Sequence, residues 1–158
     1  SKDYKKKTLI IAKSFSNFYS QEQKNRIRNQ LISISEVFKG SEVNIILTLP
    51  IIQFESFPGS PICLQQWFSQ KNKRNILCFE NIKKYDFFEK RKSFKNFLES
   101  IVENNKNISI FDPVPLLCDS ELCSPIKEGS YIYQDGNHLS EESKIWLTYP
   151  LIDHIDNL

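Results

Sequence analysis

The sequence predicts an α/β domain, a three-layer α/β/α sandwich on an open parallel sheet. Three observations predict it. Two apolar runs of strand length show no in–out alternation, as strands buried on both faces do. A segment with helical spacing lies between them. The same alternation of strand and helix then continues along most of the chain.

The elements follow in order. "KTLIIAKSF", residues 7 to 15, opens with the first continuous apolar run. Residues 21 to 39 place Ile27, Leu31, Ile34 and Phe38 three and four apart, one face of a helix, and Gly40 follows as a stop. "EVNIILTLP", residues 42 to 50, is the second strand, ended by Pro50. This is a β-α-β unit, for which parallel strands and a right-handed crossover are expected. The loop of residues 50 to 63 carries three prolines and leaves the carboxyl end of a strand, where open α/β sheets place ligands. A helix is predicted from Asn81 to about Asn104, with Phe87, Phe94, Phe97, Leu98, Ile101 and Val102 mostly toward the sheet. "NISIFDP", residues 107 to 113, is a third strand stopped by Pro113. A loop over 113 to 128 leads to a short strand at 130 to 133. The last helix starts near Ser140, an N-cap with Glu141 and Glu142 in the first turn, and runs to Tyr149, where Pro150 interrupts the pattern.

At 158 residues the chain suits one domain with a real core, and no internal repeat or low-complexity linker divides it. A net charge of +2 is too mild to argue for a nucleic-acid partner. Lys2, Lys5, Lys6 and Lys7 read as a solvated tail before the first strand. No apolar run approaches the roughly 18–20 residues of a spanning helix. The stretch Leu9 to Ala12 is far too short for a signal peptide. The absence of any methionine is consistent with excision from a longer protein. Cys118 and Cys123 are separated by four residues in a Pro-rich loop, a comfortable span for a local disulfide and too wide for a zinc-knuckle pair. Cys78, after Ile76 and Leu77, reads as a small buried hydrophobe. His138 and His154 are the only histidines, too few with Asp135 for a zinc site, so no metal or other cofactor is expected.

The chemistry concentrates in "YIYQDGNHLSEE", residues 131 to 142. Asp135 and His138 stand three residues apart in a turn just ahead of a helix. An aspartate so placed can fold back and accept from Nδ1 of the imidazole, leaving Nε2 to act as general base. The carboxylate also stabilises the imidazolium that forms. Gly136 is expected to relieve the backbone of the turn. Asp-Gly-Asn is equally an ordinary turn signal, and a lone histidine at a helix start is often only a capping residue.

The block "YIYQDGNHLSEES" resembles the last block of SGNH/GDSL hydrolases, whose Asp-x-x-His supplies acid and base. An aromatic, then Asp-x-x-His-Leu-Ser, after a two-cysteine loop, resembles more narrowly the SGNH domain fused to acyltransferase-3 membrane proteins. "TLIIAKSFSNFY" and "GSEVNIILTLPIIQF" are similar to two upstream strands of that family, so the resemblance covers most of residues 8 to 147. It implies a flavodoxin-like fold and O-acylation of bacterial surface glycans such as lipopolysaccharide. His138 would be the base and Asp135 its orienting partner. Cys118–Cys123 would be a disulfide bracing the loop, in a periplasmic or other extracytoplasmic domain. The partners implied are an acyl donor, a glycan acceptor and a membrane acyltransferase domain in the parent chain.

One part of the family pattern is missing. The nucleophile of the superfamily is a serine in Gly-Asp-Ser after the first strand, and this sequence has none. Asp119-Ser120 lies between the two cysteines, out of order. The expectation is a domain lacking its N-terminal strand and Gly-Asp-Ser block, the nucleophile being unassigned. The Gly-x-Asn-Asp oxyanion block is also absent, which leaves Asn17 as a candidate oxyanion donor. Lys13 and Ser14 end the strand where the family tends to have Arg-Trp. Neither Ser14 nor Ser16 carries a local mark of a strained nucleophile turn. Trp67 and the phenylalanines from Phe79 to Phe97 read as core, Trp146 as packing on the sheet, and His154 has no role. The alternative to an enzyme is a catalytically degenerate module that binds glycan or a membrane partner.

Overall fold

The structure is a computed structural model and describes residues 7–12, 20–54 and 81–158. These residues fall into two compact units. One lies within Ser1–Pro50, Glu89–Asp112 and His154–Leu158, the other within Ile51–Phe88 and Pro113–Asp153.

The first unit is an α/β arrangement with a parallel three-stranded sheet. Strand β1 (Lys7–Ala12) pairs in parallel with β2 (Val43–Thr48), Lys7 opposite Val43 through Ala12 opposite Thr48. Strand β4 (Ile108–Phe111) pairs in parallel on the other side of β2, giving the order β1-β2-β4. The apolar run of β2 therefore sits at the centre, and Ile45, Ile46 and Leu47 on its two faces are all buried.

Helix α1 (Gln21–Val37) begins with a capping box. The Ser20 hydroxyl accepts from the Gln23 N–H at 3.2 Å, and the Gln23 side chain accepts from the Ser20 N–H at 2.8 Å. Gly40, at φ +80°, lets the chain leave the helix in a left-handed conformation. Leu31 of α1 packs with Ile45, Leu47, Leu49 and Ile108 of the sheet segments. Phe94, Phe97, Leu98 and Ile101 of α2 (Lys84–Val102) complete that core. Two polar links fix register. The Ser35 hydroxyl donates to the Asn107 side chain at 2.7 Å. Arg91, 2% exposed, donates through both terminal nitrogens to the two carboxylate oxygens of Asp112 at 2.8 and 2.6 Å.

The second unit is built of smaller pieces. Strand β3 (Ile82–Lys83) pairs antiparallel with β5 (Leu122–Cys123). A one-turn helix α3 (Val114–Leu117) precedes the Cys118–Cys123 disulfide. Strands β6 (Ile126–Lys127) and β7 (Ser130–Tyr131) form a hairpin whose turn residues, Glu128 and Gly129, both have positive φ. Ile52, Phe54, Val114, Leu117, Ile132, Tyr133 and Leu147 form its core.

Four expectations are corrected. Residues 82–83 are a strand, so α2 starts at Lys84 and not at Asn81. The segment 113 to 128, expected as loop, contains α3, β5 and β6. The short strand expected at 130 to 133 belongs to a local hairpin and not to the parallel sheet. Helix α4 (Glu141–Asp156) passes through Pro150. A proline removes one backbone hydrogen bond, which contacts further along can offset. Here His154 supplies such contacts: its Nε2 is 3.1 Å from the Ser109 hydroxyl, and its ring lies 5.7 Å from that of Phe111. The histidine given no role anchors the end of the helix.

Candidate active site

The candidate site lies in the second unit, on the turn between β7 and α4. The Gln134 N–H donates to the His138 carbonyl at 2.7 Å and closes a five-residue loop. Tyr133 and Leu139 form a bridge at its base, and the Ser140 N–H donates to the Ile132 carbonyl at 3.1 Å. Ser140 then caps α4, its hydroxyl accepting from the Ser143 N–H at 3.2 Å. The histidine thus has fixed structure on both sides.

Asp135 organises the interior of the loop. Its Oδ1 accepts from the backbone N–H groups of Asn137 and His138 at 2.9 and 2.8 Å. The His138 Nδ1 lies 2.8 Å from Oδ2 and 3.0 Å from Oδ1. One carboxylate both shapes the turn and holds the imidazole. The Asn137 N–H, then the His138 side chain, keep the Asp135 carboxyl below the ordinary carboxylate range. The His138 side chain is 69% exposed, and Nε2 has no hydrogen-bond partner among the described residues. The arrangement leaves one ring nitrogen oriented and the other available to a hydroxyl.

Gly136 is required for a reason other than the one expected. Its φ is not positive. A Cβ there would lie 2.3 Å from the Phe54 carbonyl oxygen, and the Phe54 N–H donates to the Gly136 carbonyl at 2.7 Å. The Phe54 ring meets Tyr133 edge-on, centroids 5.0 Å apart. Tyr133 is buried, and burial pushes its phenol well above the ordinary tyrosine range. Residues 51–54 therefore brace the turn from behind. Phe54 carried no signal in the sequence, because its part is played by backbone.

The Cys118–Cys123 disulfide spans a turn pinned by Asp119, whose Oδ1 accepts from Glu121 and Leu122 N–H at 2.8 and 2.6 Å. Those two bonds, Leu122 first, lower the Asp119 carboxyl. Asp119 is thus a turn residue. Asn17, Lys13, Ser14, Ser16, Trp67, Cys63 and Cys78 lie outside the described residues. Trp146, expected against the sheet, is 39% exposed. No three His, Cys, Asp or Glu side chains gather as a metal site among the described residues. No helix among them is long and apolar enough to cross a membrane.

A carboxylate-held imidazole with its second ring nitrogen open is an arrangement suited to general-base chemistry. The sequence match is more specific. Residues 1–151 match the family described as SGNH domain (fused to AT3 domains), and the chain belongs to that family. No curated protein and no solved structure matches the chain. Membership makes the chain an acyltransferase- or esterase-type module.

Proposed function

We propose that the chain is the greater part of an O-acyltransferase or esterase domain acting on acyl esters of bacterial surface glycans. The observation that carries this reading is the 2.8 Å contact between His138 Nδ1 and Asp135 Oδ2, with Nε2 open to solvent. Asp135 holds Nδ1 as the donor, so Nε2 is the basic nitrogen. Nε2 takes the proton of a serine hydroxyl as that oxygen attacks the ester carbonyl. The tetrahedral adduct collapses to an acyl-serine, and the imidazolium returns the proton to the leaving oxygen. In the second half Nε2 takes the proton of the acceptor, a sugar hydroxyl or water, as that oxygen attacks the acyl-serine, and the imidazolium returns the proton to the departing serine oxygen.

The serine itself is proposed to come from a Gly-Asp-Ser segment on a strand outside these 158 residues, in a three-layer α/β/α domain of an extracytoplasmic membrane-protein region. Two observations support this. The sequence contains no Gly-Asp-Ser, and β1 has a strand neighbour on one edge only among the described residues.

The test is hydrolysis of p-nitrophenyl acetate by the domain with its upstream coding segment restored. Activity is expected, and His138→Ala should lower kcat by about 10³-fold or more. Acyl-enzyme accumulation, read by mass, should disappear in a serine variant of the restored segment. Hydrolysis undiminished in His138→Ala overturns the proposal. The missing Gly-Asp-Ser also favours a second reading, a catalytically degenerate module that binds glycan or a membrane partner. An upstream sequence without such a block, with no hydrolysis, selects it.

A further inference from the structure

A groove of about 300 Å³ runs between the β6–β7 hairpin and the first turns of α4, with Lys127, Tyr131, Glu142 and Trp146 among its walls. A second depression continues from Ser130 and Tyr131 to Ser140 and Glu141. Ser140 is two residues from His138, and Tyr131 is two from the Tyr133 bridge that closes the acid–base loop. Residues that line the groove therefore neighbour the candidate site in sequence on both sides of the turn.

Its aromatic surface is partly exposed, and one ring is covered on a face by a cation. Tyr131 is 49% exposed. The indole of Trp146 carries the Lys127 ammonium 4.6 Å from its ring centroid. Lys127 is itself tethered, donating to the Leu116 carbonyl at 2.9 Å. It belongs to a hairpin whose turn holds Glu128 at φ 52°, a left-handed conformation seldom adopted by a non-glycine residue. An exposed tryptophan pinned by a tethered cation is a rigid platform rather than a stray surface residue.

The rim decides what the platform takes. Ser130 offers a hydroxyl and Glu128 and Glu142 offer carboxylates, while Glu141 is paired with Lys144 and the Ser140 and Ser143 hydroxyls bond each other at the start of α4. Lys127 is the one cation among the described lining residues, and it is already engaged with the indole and a carbonyl. Carboxylates accept from adjacent hydroxyl groups, while the C–H face of a pyranose packs on an aromatic ring. An apolar peptide would desolvate those carboxylates without pairing them. An acidic sugar or a phosphate would meet like charge.

Resting on the acyl-transfer reading, we propose that this groove is the saccharide subsite of the domain and that it selects neutral or amino sugars over acidic ones. The chain is titrated with methyl α-galactopyranoside and, as its matched acid, methyl α-galacturonide. The readout is the indole N–H signal in ¹H–¹⁵N spectra, assigned with Trp146→Phe because Trp67 is the only other tryptophan. The neutral glycoside should shift the Trp146 signal saturably, and the galacturonide should bind at least about 5-fold more weakly, the gap narrowing with salt. Trp146→Ala should weaken the neutral glycoside by about 10-fold or more. Glu142→Gln is exposed and leaves the packing untouched; it should narrow the preference for the neutral sugar.

The absence of a saturable Trp146 shift with the neutral glycoside overturns the proposal. So does a galacturonide that binds as well as the galactoside, or wild-type binding by both variants. The acyl-transfer reading fails separately. If His138→Ala binds the glycoside and also leaves ester hydrolysis undiminished, the subsite stands and the chemistry does not. If His138-dependent hydrolysis persists while Trp146→Ala binds as wild type, the chemistry stands and the subsite does not.

Discussion

The parallel sheet and the acid–base turn are stabilised in different ways. Around β2, order comes from apolar burial: Ile45, Leu47, Leu49, Phe94, Phe97, Leu98, Ile101 and Ile108 form one cluster. Such attraction is non-directional and tolerates small shifts. Residues 113–153 contain strands of only two residues, and specific links hold them: a disulfide, two aspartates that accept turn N–H groups, and a glycine set against a carbonyl. Hydrogen bonds weaken steeply with distance and angle, so they can hold an imidazole to within tenths of an ångström. Each unit has its own apolar core, so the difference lies in what fixes the functional side chain: at the acid–base turn that is hydrogen bonds and close backbone packing rather than burial.

The sharpest way to break the comparison is to damage each region in its own terms. Leu98 is buried in the sheet core, and Leu98→Ala should lower unfolding stability by about 2–5 kcal/mol in urea titrations. Gly136→Ala should cost less, about 1–3 kcal/mol, yet displace the turn, because its Cβ would sit 2.3 Å from the Phe54 carbonyl oxygen. The His138 ring N–H signal reports that displacement. Gly129→Ala is the control. Nothing lies within 4 Å of its added Cβ, so only the φ of +81° is strained, and the His138 signal should persist. A Gly136→Ala protein with wild-type stability and an intact His138 signal would show that close packing does not position the pair.

The same division explains what could be read in the sequence. The sheet was legible because unbroken apolar runs mark β1 and β2 and three-and-four spacing marks α1, although β1, expected to be buried on both faces, lies at the edge of the described sheet with Ile10 44% exposed. Asp135 and His138 were legible as candidates because a local turn brings together residues close in sequence. The Phe54–Gly136 brace was not, because it joins backbone atoms of distant segments. Pro150 misled in the other direction. Its local penalty predicts a helix end, while contacts of His154 with Ser109 and Phe111 lie far away in sequence. Trp146 is expected against the sheet from its place in the last helix, yet it is 39% exposed, because position along a helix does not say which face meets solvent.

The smallest effect tests which bonds position the carboxylate. Asp135 is held below the ordinary value of 3.8 first by the Asn137 N–H and then by the His138 side chain. A carboxyl whose folded pKa is depressed stabilises the fold fully above its unfolded value, and that contribution is lost as pH falls through the folded value. The turn should therefore stay intact at pH 5 and loosen only in acid below the usual carboxylate range. Carboxyl ¹³C titration should give Asp135 a midpoint under 3.8, with Asp119, lowered by Leu122 and Glu121 N–H groups, as a second depressed site. In His138→Ala the backbone donors remain, so the Asp135 midpoint should rise but stay depressed. A rise all the way to the ordinary value would mean that the imidazole holds the carboxylate, and that the turn is shaped by the pair instead of shaping it.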